Sequence, residues 1–294
     1  MKKNIFFIIF LNIFFSQSIS DYPYVSAKPT GMVGAVVSEK GDSWSIFHNP
    51  AAIVEINDFN FSIGNSTIFG VKGLTHQQIN GYLKIPILGR IGLGLNQLKT
   101  EHEGIILSEE NTLSIAQGIT LQRDKNSQLA IGYTMNLIQW DLGKSAGSNG
   151  DGTNGIEIGS LNSMSLDIGL LASLRSKFRF GIFMKNFSSN SIGTGSTKQD
   201  LTQRINLGIT YMPLPELSTS LVSEKLIGNE ELQIKGSISY NLNPFLEIYS
   251  GIQTNPNRLG AGMTMTVIGH EISYGIITHP VLPLTQQFNL TLFP

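Results

Sequence analysis

Arg204-Ile205-Asn206-Leu207-Gly208-Ile209-Thr210-Tyr211 decides how this chain is read: its odd positions are bulky and apolar, its even positions polar or small. Successive side chains of an extended strand point to opposite faces, so this stretch has one oily face and one wet face. The same alternation recurs at residues 232–240, 178–184, 259–267, 272–276 and 288–292. The spacing predicts strands from residue 58 almost to the end, and the connections sort by length. Residues 69–75, 99–109, 143–159, 188–200, 228–231, 255–257 and 278–284 read as loops. Between them, residues 86–89, 123–127, 175–177, 213–215, 243–244 and 268–269 read as tight turns. Loops on one side and tight turns on the other define fourteen antiparallel segments, the signature of an outer-membrane barrel with short periplasmic turns. In a bilayer only helices and closed barrels satisfy every backbone polar group. The expected fold is therefore all-β: a 14-stranded antiparallel transmembrane β-barrel with both termini periplasmic.

Ahead of the pattern, Lys2 and Lys3, an apolar run over 5–15 and Ser18-Ile19-Ser20 read as a cleavable export signal at residues 1–20. Residues 21–57 lack period-two order, and 58–294 form the barrel. Within 21–57, residues 31–38 and 50–55 read as short helical turns. Charged residues make up only 14% of the chain and the net charge is −1, which suits a lipid-facing surface and offers no basic patch for nucleic acid. There is no cysteine, hence no disulfide framework, thiolate nucleophile or lipoprotein attachment site.

Strand parity assigns side chains to faces. Lys84, Asp167, Arg179, Arg204, Lys235, Glu247 and Glu271 fall on the lumenal parity, where a barrel in lipid keeps its charges. Arg179 and Arg204, on adjacent predicted strands, are the first candidates to contact the N-terminal segment. Tyr211 and Tyr240 fall on the outward parity just before periplasmic turns, where an aromatic girdle sits. In residues 129–137 the apolar parity is odd, but Ile138, Trp140 and Leu142 are even. A bulge, or a strand continuing above the membrane, accounts for that slip.

The sharpest motif lies in the N-terminal segment: Gly31-Met32-Val33-Gly34-Ala35, then Asp42, then Asn49-Pro50-Ala51-Ala52. Asn49 can cap a helix that starts at Pro50, since a first-turn proline needs no donor. This pattern resembles the N-terminal signature of the FadL-like outer-membrane barrels, in particular their PorV/PorQ branch, with Val33 and Ala52 each standing in place of a glycine. Ser165-Leu166-Asp167-Ile168-Gly169-Leu170, Lys185-Asn186-Phe187, Asn243-Pro244-Phe245-Leu246 and the closing 279–293 stretch extend the resemblance along the barrel. It implies that residues 21–57 fold into the lumen as a plug. It also implies one of two functions. PorV/PorQ proteins serve type IX protein secretion, docking secretion-system proteins or exported cargo; FadL-like transporters carry hydrophobic ligands such as long-chain fatty acids. The 99–109 loop supplies only Ile105, Ile106 and Leu107 toward an apolar site, which favours the secretion branch.

No catalytic or metal-binding constellation stands out. His48 falls in the N-terminal segment, His270 near the periplasmic rim, and His76, His102 and His279 map as scattered surface histidines on the external side, none at ligand spacing. The 147–155 stretch carries a single acid, Asp151, and lacks the ligand order of a calcium loop. A non-enzymatic barrel without cofactor is expected, in contact with outer-membrane lipid and the outer-membrane assembly machinery. The final Pro294 breaks the aromatic ending that this machinery usually meets.

Overall fold

The computed structural model describes residues 22–56, 59–85, 89–145, 147–149, 154–188, 190–193 and 198–293. The export signal expected at 1–20, Asp151 and Pro294 lie outside the described residues.

Fourteen antiparallel strands close into a barrel. In chain order they are β1 (Asn60–Thr67), β2 (Leu74–Ile85), β3 (Gly89–His102), β4 (Ile105–Arg123), β5 (Ser127–Asp141), β6 (Ser160–Leu174) and β7 (Phe178–Lys185), then β8 (Arg204–Leu214), β9 (Leu217–Leu226), β10 (Leu232–Asn243), β11 (Leu246–Gln253), β12 (Arg258–Val267), β13 (His270–Ile277) and β14 (Thr285–Leu292). Each strand pairs with its neighbours in sequence, and β1 closes the ring on β14 from Phe61↔Leu292 to Thr67↔Gln286. Closure leaves no unpaired edge. Ser191–Ile192 and Gln199–Asp200 form a separate two-stranded ladder within the connection from β7 to β8.

Burial is inverted relative to a water-soluble protein. On β8, Arg204, Asn206 and Thr210 are buried while Leu207, Ile209 and Tyr211 are exposed. The same holds around the ring: buried Ser62, Gln78, Asn136 and Thr291 face in, and exposed Ile63, Ile79, Leu137 and Leu292 face out. A contiguous outer belt of that kind far exceeds the few hundred Å² of apolar patch that a soluble monomer tolerates. Hydrocarbon is the solvent in which it is stable.

Residues 22–56 lie inside the ring. Ala27–Gly31, Ser45–His48 and the 3₁₀ turn Pro50–Glu55 are all shorter than the length at which an isolated helix persists in water, so wall contacts hold them. Ile46, Ile53 and Ile56 pack on Tyr82 and Ala116; Ala51, Ala52 and Val54 pack on Ala130 and Leu171; Ala35 and Val37 pack on Phe183 and Val222. Most of the buried apolar core is thus made between this segment and the wall.

Two expectations from sequence need correction, and of two explanations for the slip at Ile138 one is excluded. Residues 99–109 are not a loop: β3 and β4 run on to His102 and from Ile105, joined by a turn at Glu103-Gly104 with positive φ at both. Both faces of that extension meet water, so the alternation that marks a half-buried strand is lost. The turn placed at 213–215 begins two residues later, because β8 continues to Leu214 past a bulge between Tyr211 and Leu214. At Ile138 there is no bulge, since β5 pairs with β6 without interruption from Ser127 to Asp141. The parity slip marks the level where the inward face becomes apolar and the outward face polar.

Candidate functional site

Among the described residues, buried polar and charged side chains collect in the lumen, and a belt of inward glycines shapes it. A Cβ on Gly132 of β5 would lie 2.3 Å from the Pro50 carbonyl carbon, and one on Gly169 of β6 2.2 Å from Asn49 Oδ1. On Gly181 of β7 it would lie 2.2 Å from the Val37 oxygen, on Gly260 of β12 2.4 Å from the Gly31 oxygen, and on Gly275 of β13 2.2 Å from the Ala27 oxygen. Gly94, Gly118, Gly208 and Gly251 make the same kind of approach from β3, β4, β8 and β11. Any side chain at these positions would occupy space held by the segment. The signal was present in the sequence as a glycine on the inward parity of strand after strand, but only a folded segment gives it meaning.

Polar groups complete the seat. Asn49 accepts from Ala51 N–H at 3.1 Å, which caps the turn starting at Pro50, and its amide donates to the Val37 and Leu170 carbonyls at 2.6 and 3.2 Å. It therefore ties the segment to itself and to β6. Asp42 accepts from Trp44 N–H at 2.8 Å, ordering the turn before Ser45–His48. Met32, Ala35 and Ala51 are fully buried, and Gly34 has a φ of +78° beside the Lys235 ammonium. Gly31 lies so close to the Tyr249 ring that a Cβ would stand 2.6 Å from it.

Arg179 donates to the Ser38 and Glu39 carbonyls at 3.0 and 3.1 Å and to Glu55 at 2.6 Å, so it grips the segment at two places. Arg204 is instead found 3.5 Å from Glu224 on β9. Their strands are adjacent, but Arg179 pairs with Thr210 and Arg204 with Lys185, at opposite ends of the ladder. Six residues of strand, about 20 Å, separate the two levels. Lys235 also reaches Glu224, at 2.8 Å, and sits over the Tyr24 ring at 5.8 Å. Tyr24 donates to Gln253 at 2.7 Å, and burial pushes its phenol up to about 12. Glu247 pairs with Lys28 of the segment at 2.8 Å. Asp167 accepts from Asn136 and from Asn186 N–H, both at 2.8 Å. Glu271 lines an internal cavity, whereas Lys84 is exposed at the end of β2. Parity alone missed Glu39, Glu55 and Glu224, the acids that receive these cations and hydroxyls. Glu39 accepts from Ser218 at 2.8 Å and also from Ser220.

Tyr211 and Tyr240 face outward near the tight turns, with Tyr211 stacked on Phe178 at 5.0 Å between ring centres. Of the histidines mapped to the surface, His76 is buried: it faces the lumen, with Nε2 2.5 Å from Asn96 and its ring edge-on to Tyr22 at 5.4 Å. His102 is exposed, His279 packs on Phe69, and His270 Nδ1 accepts from Phe293 N–H at 3.2 Å. His48 lies 2.6 Å from the Val25 carbonyl, and burial holds its imidazole down to about 4. Among the described residues no three His, Cys, Asp or Glu are placed to hold a metal ion.

Two cavities flank the seated segment. At the tight-turn end, about 450 Å³ opens between Lys28, Asp42, Glu55, Glu216, Glu247 and Glu271. At the loop end, about 40 Å³ remains between Tyr22, Ile46, Phe47, His76, Asn136 and Ile138. Above it Ile138, Ile192 and Leu201 pack together, flanked by Trp140 and Leu161, with the Trp140 indole donating to Ser108 at 2.8 Å. Ile192 and Leu201, both between β7 and β8, thus make with Ile138 an apolar lid over the lumen.

No protein-family model matches the chain, and no curated protein sequence does. Solved structures do. The toluene transporter TbuX of Ralstonia pickettii superposes with a TM-score of 0.60 at 10% identity, over 92% of this chain and 97% of that one. The toluene transporter TodX of Pseudomonas putida gives 0.60 at 12% identity, over 91% and 96%. A FadL homologue of Pseudomonas aeruginosa gives 0.54 at 10% identity, over 91% and 98%. At such identities the likeness concerns the fold, and the narrower PorV/PorQ resemblance rests on the sequence motif alone. This chain has the fold of the FadL-like outer-membrane barrels of fourteen strands.

Proposed function

We propose that the protein carries hydrophobic small molecules across an outer membrane, with the tight turns and both ends of the chain on the periplasmic side. The observation that carries this reading is the likeness in fold, over more than nine-tenths of the chain, to two toluene transporters. Residues 22–56, seated on the glycine belt, act as a plug that prevents free leakage, and the motif residues Asn49, Pro50 and Gly31 fix its path. The apolar belt contacts lipid, with Tyr211 and Tyr240 at the periplasmic interface. Insertion depends on the outer-membrane assembly machinery.

The chemistry of the loop end supports the same reading. Ile156, Ile158, Phe187, Val281 and Leu284 are exposed there, above the Ile138–Ile192–Leu201 lid. Apolar side chains facing water offer a first contact for a hydrophobic solute. The 40 Å³ below the lid is far smaller than the roughly 300–1,000 Å³ of an ordinary ligand pocket. Loading therefore requires Ile138, Ile192 and Leu201 to separate. The test is uptake of radiolabelled toluene and of oleate by cells lacking other such carriers. Expression should raise uptake of at least one, and Ile192→Asp at the lid should change it. No uptake of either would sink the proposal.

The N-terminal motif favours a second reading, in which the barrel docks secretion-system proteins or exported cargo. Affinity purification from native membranes separates the two. A stoichiometric protein partner together with no solute uptake would favour secretion.

A further inference from the structure

Three inward rungs cross the wall formed by β14, β1 and β2. At the first Ser62 faces Asn80 and Thr291, at the second Gly64 faces Gln78 and Asn289, and at the third Ser66 faces His76 and Gln287. Asn60 continues the series toward the tight-turn end. From Asn60 to Ser66 the stripe covers about 20 Å, most of the height of a barrel's apolar belt.

Its amides are buried, each at 2% exposure or less, yet six of their polar atoms have no protein partner. Three are acceptors (Asn60 Oδ1, Asn80 Oδ1, Gln287 Oε1) and three are donors (Gln78 Nε2, Asn80 Nδ2, Asn289 Nδ2). Buried polar atoms in folded proteins are otherwise almost always paired with protein or with water. Elsewhere in the lumen the polar groups are largely consumed by the plug or by one another. Here the N-terminal segment touches the stripe through the Ala27 N–H on Asn289, the edge of the Tyr22 ring on His76 and the Tyr22 hydroxyl beside Ser66. Gly64 makes room for the convergence, since a Cβ there would lie 2.2 Å from Asn289 Nδ2 and 2.6 Å from Gln78 Oε1. The ends of the stripe open on the two cavities: Asn60 and Asn289 line the large one, His76 the small one.

We propose that the β14–β1–β2 wall is a hydrogen-bonding path for water and small uncharged polar solutes, running past the plug from one cavity to the other. Amides suit this task because each can both donate and accept, so a solute exchanges partners rung by rung. No carboxylate, lysine or arginine stands on the three rungs, so an ion stripped of water would meet no counter-charge. The inference is independent of the hydrophobic cargo, which would use the lid and the centre of the lumen.

The test is osmotic swelling of proteoliposomes in glycerol and in urea. The wild-type protein should swell them faster than protein-free vesicles. Gln78→Met, close in shape but with no donor and only a weakly accepting sulfur, should slow swelling several-fold, and Gln287→Leu should act in the same direction. Heat-dependent mobility on denaturing gels verifies that each variant is folded. Wild-type swelling no faster than that of protein-free vesicles would overturn the proposal, as would an unchanged rate in folded Gln78→Met. Stepwise potassium chloride conductance in planar bilayers would overturn the restriction to uncharged solutes. Toluene uptake that persists in Gln78→Met would leave the hydrophobic route intact.

Discussion

At the scale of single residues, Arg179 is the most demanding contact between the wall and the N-terminal segment. Its guanidinium and the Glu55 carboxylate are only 7% and 11% exposed, and both are spoken for by hydrogen bonds. Removing one member of a buried pair leaves an uncompensated charge, at a cost of about 3–5 kcal/mol. Arg179→Met is therefore expected to loosen residues 38–55 while the barrel persists, measured as lost hydrogen-exchange protection in those residues alone. Glu55→Gln should be milder, because a neutral acceptor can still take the Arg179 bond. His48 brings a pH dependence. Its folded value of about 4 lies below the ordinary 6.5 of a free imidazole, so the unfolded or undocked state binds protons first. The stability that it contributes is complete above pH 6.5 and is lost as pH falls toward 4. Emission of the buried Trp44 nearby should shift to the red across that window, and His48→Gln should flatten the transition. Arg179 was legible as a lumenal charge from parity. Its partners were not, because Glu39 and Glu55 lie in a segment without any period.

At the scale of elements, the glycine belt is where the N-terminal segment meets the barrel wall. Gly132→Val places atoms where the Pro50–Ala51 peptide now lies, about 2.3–2.4 Å from a Cβ position. Backbone cannot yield there as a flexible side chain could. The expected outcome is a barrel that still shows heat-modifiable mobility, with residues 22–56 newly open to protease. Gly236→Ala on β10 is the matched control: the nearest atom to its Cβ would be Ile252 Cγ1 at 3.8 Å, an ordinary contact, and protease resistance should not change. Strand positions were readable because lipid on one side and a polar lumen on the other impose period two. Where that asymmetry ends the reading failed, as in the extensions of β3 and β4 beyond the apolar belt. The slip at Ile138 was visible as a pattern, but its cause was not. The partners Ile192 and Leu201 come from a connection some fifty residues further on, and no local rule brings them to β5.

At the scale of the whole molecule, the inverted burial makes a prediction about the environment. Leu207 is 50% exposed on the outer face midway along β8. Leu207→Arg should destabilise the barrel in a bilayer by about 2–4 kcal/mol if it lies near the midplane. Reversible denaturant unfolding in lipid vesicles measures it. The buried Arg204, three residues away on the opposite face, has Glu224 beside it, so the same side chain is tolerated inside and costly outside. A cost near zero at Leu207 would contradict lipid on that face. Residues 22–56, seated between the two cavities, make the lumen a divided space rather than an open pore.

By itself the sequence determined the strands, their number, their two faces and the two ends of the barrel. Those follow from the alternation of side chains along an extended backbone and from the length of each connection, both of which are local. Tertiary structure alone decided which inward groups meet: Arg179 with Glu55, Lys235 with Glu224 and Tyr24, nine glycines with residues of the N-terminal segment, and the amides of β14, β1 and β2 with one another. Parity says only that a side chain points into the lumen. Its height depends on strand register, and its partner across the lumen depends on barrel closure, which joins the first strand to the last.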